Sequence, residues 1–374
     1  MVSIDDFVGR FDEEPGYLDF ARVGPIGRSV IEEERAQSEL LRRARFGSLA
    51  ALDRQDARVR SAVATLTGFR DDQVVFQPNT SSGLMHVMFG ITGGVLLSPA
   101  EYPSLTFAAT RASDALGVLN PVWLDTDGGP VTPSVIRDQL TKSIVAVAVS
   151  LVDFRTGYLA DLDGIRQVIG DRLLIVDAIQ GFGIVDAPWE VADVVASGGQ
   201  KWVRAGWGTG FLALSDRAVD HLTPVFSGFS ATDADGTPLD AVLPPTRGAA
   251  AFSVSNPSPL AEAQLSIALE DIGDVGVSEI GSRLAEKVSR IIDLADEFAI
   301  AVVSSRAENE RAGIVVLEPA ADQLTVLTAS LFNHGVTSTT RQGRVRLSPH
   351  VSTDDETFQM LADAFLSYAT AVTV

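Results

Sequence analysis

Ser197-Gly198-Gly199-Gln200-Lys201-Trp202 is the stretch of this sequence with the most chemistry in it. It follows a short apolar run, Val194–Ser197, that reads as a strand, so the lysine sits where a sheet would open to a ligand. A lysine is most often a solvated surface group. A phosphate-loop lysine needs GxxxxGK[ST], and here Gln200 precedes Lys201 and Trp202 follows it, so that reading fails. The third possibility is a lysine that forms a Schiff base with a carbonyl cofactor. That chemistry needs partners. A pyridinium nitrogen calls for a carboxylate, and Asp177 closes the run Leu173–Asp177 at its carboxyl end. Asp177 could equally cap the next turn, and Gln180 could reach the same ligand or face solvent. A phosphate calls for a helix N-terminus, and Pro78-Asn79-Thr80-Ser81-Ser82-Gly83 supplies one, although an ordinary N-cap has the same spacing. An aromatic face could come from Tyr102, in Glu101-Tyr102-Pro103, which would otherwise belong to the core.

The elements that must position these residues are short apolar strands alternating with helices. Strands are expected at Val74–Gln77, Gly94–Ser98, Val118–Trp123, Ile144–Val152, Leu173–Asp177, Val194–Ser197 and Phe211–Leu214. Two long charged helices are expected before them, over 26–46 and 50–68. Near-continuous Val, Ile and Leu between helical stretches predicts an α/β fold with a mainly parallel sheet covered on both faces. Residues 228–259 are rich in Gly, Pro, Ala, Ser and Asp and read as a long loop or interface, acidic around Asp233–Asp240. Beyond it, helices are expected at 260–272 and 280–298 and strands at Ala299–Ser304, Gly313–Leu317 and Arg344–Leu347. A capping box at Thr353-Asp354-Asp355-Glu356 would open the last helix. The expected division is a large domain over 16–275 and a small α+β domain over 276–374 that includes 1–15.

Composition narrows the function. The chain has 374 residues, 29 Lys and Arg against 49 Asp and Glu, and a net charge of −20. Nucleic-acid backbones are therefore unexpected partners. Zero cysteines exclude thiolate metal sites and thiol nucleophiles within this sequence. The four histidines, 86, 221, 334 and 350, form no metal-binding spacing, and His350 reads as structural. No signal peptide and no apolar run of membrane-spanning length is evident, so a cytoplasmic protein is expected.

Each of these signals is common alone, but their order is specific. Phosphate turn, aromatic, Asp and Lys, each at the end of a strand, resemble the fold-type I enzymes that use pyridoxal 5′-phosphate (PLP). More narrowly the chain resembles the class V aminotransferase family, which holds cysteine desulfurases, kynureninases and isopenicillin N epimerase-like proteins. Tyr17-Leu18-Asp19-Phe20 with Gly24-Pro25, Asn79–Ser82, Glu101-Tyr102, Asp177-Ala178-Ile179-Gln180-Gly181, Gly199-Gln200-Lys201-Trp202, Gly206–Phe211 and Val345-Arg346-Leu347-Ser348-Pro349-His350 carry the resemblance along nearly the whole chain.

The resemblance implies roles. Lys201 would hold PLP and move the substrate's Cα proton, and Asp177 would keep the ring nitrogen protonated. Gln180 would bond the ring hydroxyl and Tyr102 would stack on the ring. Thr80, Ser81, Ser197 and Gln200 would hold the phosphate. Arg346 would clamp the substrate carboxylate, and no metal is implied. Tyr102 and Gln200 both stand where the family often has His. Phe154 stands where desulfurases place an Asn. Arg155 is an extra substrate anchor or a structural ion pair. Asn256 stands in for a residue that the family lends to the neighbouring subunit's phosphate, which implies a homodimer. With no cysteine, the persulfide chemistry of desulfurases is excluded. An aminotransferase-like reaction on an α-amino acid leads, followed by C–S β-lysis of a cysteine conjugate or sulfoxide. A non-catalytic binding protein on the same fold is the reading from another class.

Overall fold

A computed structural model describes residues 2–234 and 239–373. Seven strands form the large sheet: β1 (Val74–Phe76), β2 (Gly93–Leu97), β3 (Leu119–Trp123), β4 (Ile144–Ser150), β5 (Leu173–Asp177), β6 (Val194–Gly198) and β7 (Gly210–Leu214). Their order is β1-β7-β6-β5-β4-β2-β3. Only β7 runs against the rest, pairing antiparallel with both β6 and β1. Each strand expected for this sheet is present to within about two residues of its expected ends. The fold is the α/β arrangement that the alternation of elements predicts.

Burial on both faces explains the composition of the strands. Along β5, Leu174 and Val176 join one apolar cluster while Leu173 and Ile175 join the other. The first cluster also takes in Val315, Val345 and Leu347 of a second, antiparallel sheet. That sheet has the order β8-β10-β9, with β8 at Val315–Leu317, β9 at Thr339–Arg341 and β10 at Arg344–Leu347. The helix Val277–Glu297 buries Ile280, Leu284, Val288, Ile291, Ile292 and Ala295, a face that repeats at the helical period.

Three expectations need correction. Ala299–Ser304 is not a strand; it makes a single bridge, Val302 to Leu317, and its first residues close the preceding helix, with Ala299 at φ +54° and Ile300 N–H donating to Ala295 C=O. Thr353 does not cap the last helix, Asp355–Thr373: its hydroxyl accepts from His350 N–H at 2.9 Å, and Asp354 accepts from Thr357 N–H at 2.8 Å instead. The segment 228–259 is not wholly loop, for 3₁₀ turns form at Phe229–Ala231 and Ala249–Phe252. Of its acidic part, residues 235–238 lie outside the described residues.

Arg204 is a feature that the sequence reading did not single out. It lies three residues past Lys201, is 1% exposed, and sits at φ +59°. Its guanidinium pairs with Glu13 at 2.5 and 3.1 Å, donates to Pro25 C=O and to Ser352 Oγ, and meets Nδ1 of His350 at 3.2 Å. Phe11 lies beneath it at 3.8 Å. His350 is buried, and its ring stacks on Phe20 at 5.0 Å. A buried charge with this many partners cannot be removed cleanly. Arg204→Leu should lower stability by roughly 3–5 kcal/mol, because Glu13 is left without its counter-charge. Urea unfolding of the two proteins checks this, and a midpoint unchanged from wild type would refute it.

Candidate active site

The carboxyl ends of the parallel strands converge on one edge of the large sheet. Asp177 ends β5, Lys201 follows β6, Asn79 and Thr80 follow β1, Tyr102 follows β2, and Phe154 and Arg155 follow β4. Because β7 is reversed, it brings Gly210 to the same edge, paired with Gly198.

Lys201 and Asp177 are both buried, at 8% and 2% exposure. Burial pushes the Lys201 ammonium down to about 8, helped by Arg346 and Arg341 and opposed by Asp177. Burial pushes the Asp177 carboxyl up to about 6, opposed by the Ile179 N–H and by Lys201. One Asp177 oxygen accepts that N–H at 3.1 Å, while Oδ2 is buried with no partner. Lys201 Nζ lies 5.3 Å from the centre of the Tyr102 ring. Tyr102 itself meets the edge of Phe154 at 5.1 Å.

Thr80 begins the helix Thr80–Gly90, and Asn79 caps it by accepting from Ser82 N–H at 2.9 Å. Thr80 Oγ1 is buried and has no partner. A Cβ on Gly198 would lie 3.0 Å from that Oγ1 and would collide with Gln200 Oε1, so glycine keeps this corner open. Ser197 is buried with only a 3.4 Å contact to Gly198 C=O. Ser81 is engaged elsewhere: its hydroxyl shares a 2.7 Å hydrogen bond with Ser104. Gln180 is also largely engaged. Its amide donates to Ala21 C=O and accepts from Trp202 Nε1, both at 2.9 Å, leaving one N–H for a ligand.

The residues fit PLP. A buried acceptor without a donor, a buried hydroxyl at a helix N-terminus, a corner with room only for glycine, and a low-pKa lysine are the groups its ring nitrogen, phosphate and aldehyde need. Among the described residues, no three His, Cys, Asp or Glu side chains gather as metal ligands.

Beside Tyr102 opens a cavity of about 630 Å³, lined by Glu101, Phe154, Arg155, Arg341, Arg344 and Arg346 among others. Arg346 lies on β10 and is 7% exposed. Its contacts are long, 3.3 Å to Phe154 C=O and 3.5 Å to Asp19, and its Nε is buried without a partner. It therefore keeps donors for a carboxylate. Arg155 donates twice to Asp153, at 2.8 and 3.2 Å, so the ion pair is the alternative that forms, although the side chain still lines the cavity. Asn256 is not brought to this site in its own chain; it lines a separate cleft with Pro78 and Trp207.

Two residues escaped the sequence reading. Asp19 lay inside the Tyr-Leu-Asp stretch, but its pairing with Arg346 spans more than three hundred positions. Glu101 accepts from Ser150 N–H and Oγ, at 3.2 and 2.5 Å, and burial pushes it up to about 7 against those bonds.

Known proteins resemble this chain in sequence and in fold. The aminotransferase class-V family matches residues 35–236, more than half of the chain. A probable cysteine desulfurase from Methanothermobacter thermautotrophicus is 27% identical over 239 residues, covering 60% of this chain and 57% of that protein. A kynureninase from Deinococcus radiodurans is 25% identical over 268 residues, covering 68% and 63%. The matches thus span about three fifths of the length of these curated relatives. Among solved structures, the cystine C–S lyase C-DES with its product cysteine persulfide superposes with a TM-score of 0.83 at 18% identity, covering 94% of this chain and 97% of that one. A C-DES variant with glycine linked covalently to the PLP cofactor gives 0.86 at 17% identity, covering 98% and 99%. At these identities the likeness is one of fold.

The Lys201 environment sets a test on the protein freed of cofactor. Reaction of Lys201 with pyridoxal should rise with pH about a midpoint near 8, not the 10.5 of an ordinary lysine. Borohydride trapping and peptide mapping across a pH series measure it, and a midpoint near that of free lysine would contradict the burial argument.

Proposed function

The chain belongs to the class V aminotransferase family, a family of PLP-dependent enzymes, and on that footing we propose that it acts on an α-amino acid through Lys201, in an aminotransferase-like reaction. The observation that carries this reading is the buried Lys201 amine, made easy to deprotonate, beside an Asp177 oxygen that lacks any donor. When bound, the cofactor supplies an electron sink for a carbanion at the substrate's Cα. The residues of the chain do the rest. Lys201 holds the cofactor, and its neutral amine then takes the Cα proton and returns it elsewhere. Asp177 Oδ2 accepts the ring N–H and keeps it in place. Thr80, Ser197 and Gln200 surround the phosphate corner with neutral donors, added to the N–H groups of the helix Thr80–Gly90. Tyr102 covers the ring and screens it from water. Arg346 turns its spare donors to the α-carboxylate, which fixes the Cα–H direction toward Lys201.

Ser81 and Gln180 have smaller parts in this reading, because protein groups already use most of their capacity. In a homodimer, Asn256 and the exposed Trp207 beside it would be offered to the neighbouring subunit. A second reading, C–S β-lysis of a cysteine conjugate or sulfoxide, needs no protein thiol, and this sequence holds none. Elimination needs only the cofactor and Lys201, whereas persulfide transfer needs a cysteine. On either reading Arg155 orients Asp153 and shapes the cavity wall.

The experiment is direct. PLP-loaded protein should be yellow, and borohydride should fix the cofactor on Lys201. Lys201→Ala should lose roughly 10²–10⁴-fold in turnover from the missing proton transfer alone. Screening amino acids and sulfur conjugates then separates the reactions. Amino transfer to a keto acid without ammonia marks the transferase; pyruvate with ammonia and a released sulfur product marks the lyase. A protein that binds no PLP and shows no amino-acid-dependent change would return the chain to the non-catalytic class.

A further inference from the structure

The hairpin formed by β9 and β10 has an unusual face. Its register sets Arg344 opposite Arg341 and Arg346 opposite Thr339. Side chains alternate along a strand, so these four share one face while Val345 between them turns into the core, fully buried. All four line the 630 Å³ cavity, and so does Arg155 from the other wall. A protein with a net charge of −20 thus turns four arginines toward one cavity, where Glu101 is the sole carboxylate of the lining among the described residues.

Three of the four are answered by carboxylates. Arg155 pairs with Asp153 at 2.8 Å, Arg344 with Glu318 at 2.8 Å, and Arg346 with Asp19 at 3.5 Å. Among the described residues, Arg341 has no carboxylate within ion-pair distance. Like charges placed directly across two strands repel and cost stability. Gln342 and Gly343 both adopt positive φ, the tight two-residue turn that holds the two strand ends, and so the two arginines, side by side. An anion between the hairpin and the Tyr102 wall would reverse the sign of that interaction.

We propose that the substrate is an α-amino acid whose side chain carries a second, distal carboxylate, taken by Arg341 with Arg344 beside it, while Arg346 holds the α-carboxylate. This rests on the reading of the site as an amino-acid enzyme. The charge pattern then sorts substrates by their far end. A neutral side chain leaves Arg341 without a counter-charge, since Glu318 answers only Arg344; an acidic one supplies it.

Binding to the PLP-loaded protein tests this without turnover. Succinate, glutarate and adipate are titrated calorimetrically against butyrate, and Arg341→Ala and Arg341→Lys are compared with wild type. At least one dicarboxylate should bind wild type roughly tenfold to a hundredfold more tightly than butyrate, as a charge-assisted contact provides. That ratio should fall to near unity in Arg341→Ala and survive in part in Arg341→Lys. Thermal melts check that the variants fold. A wild type with no dicarboxylate preference, or a preference that survives Arg341→Ala, overturns the proposal. The two readings fail separately. Loss of any amino-acid-induced change in cofactor absorption sinks the enzyme reading, whereas a normal absorption response without dicarboxylate preference sinks only this one.

Discussion

The buried guanidinium of Arg204 is the contact on which the rest of the molecule hangs. A charge without water must be satisfied by protein, and here its partners come from Glu13, Pro25, His350 and Ser352. Three distant segments are therefore held against one loop, and that loop carries Lys201. The same loop is gripped again where Gly24 N–H donates to Gln200 C=O at 2.9 Å. The left-handed backbone at Arg204 is tolerated only because so many contacts oppose its relaxation. The placement of Lys201 is thus tied to the ion pair of Arg204 with Glu13.

Around that amine the protein leaves polar groups unmet. Asp177 Oδ2 and Thr80 Oγ1 are buried without partners, and Arg346 keeps an unused Nε. Each is a cost to the folded chain that a fitting ligand removes. The acidic total charge sharpens the division of labour. The corner around Thr80 and Gly198 presents hydroxyls, an amide and helix N–H groups, whereas four arginines line the cavity beside Tyr102. On the proposed reading, cofactor and substrate anions would be met by different chemistry.

Much of this could be read from the residues in order. The strands were legible because burial on both faces demands apolar runs, and the site because each strand's carboxyl end carried a distinctive residue type. What was not legible depends on pairs far apart in the chain. Arg204 reads as an ordinary basic residue until Glu13 and Ser352 are folded onto it. Arg155 stood open between two roles because the choice depended on the turn that brings Asp153 beneath it. The Thr353 capping box failed for a local reason: an upstream N–H, that of His350, claimed the hydroxyl first. The β9–β10 hairpin was half visible, for the strand Arg344–Leu347 was expected and its partner, polar and mostly exposed, was not.

The closure of the N-terminal segment has a consequence for how the chain folds during synthesis. Tyr17 bridges to Thr337, Asp19 to Ser348, and Ala21 N–H donates to Ser348 Oγ, so residues 17–21 find their strand partners only after residues 337–348 exist. A ribosome emits the chain in order, and the central sheet can assemble while the earliest residues wait. Contacts of such sequence separation form late and slowly. The carboxylate that answers Arg346 can therefore take its place only once residues 337–348 have been made. Until then the nascent sheet stands with its carboxyl edge open, and the finished pocket is a record that translation has run through to residue 348.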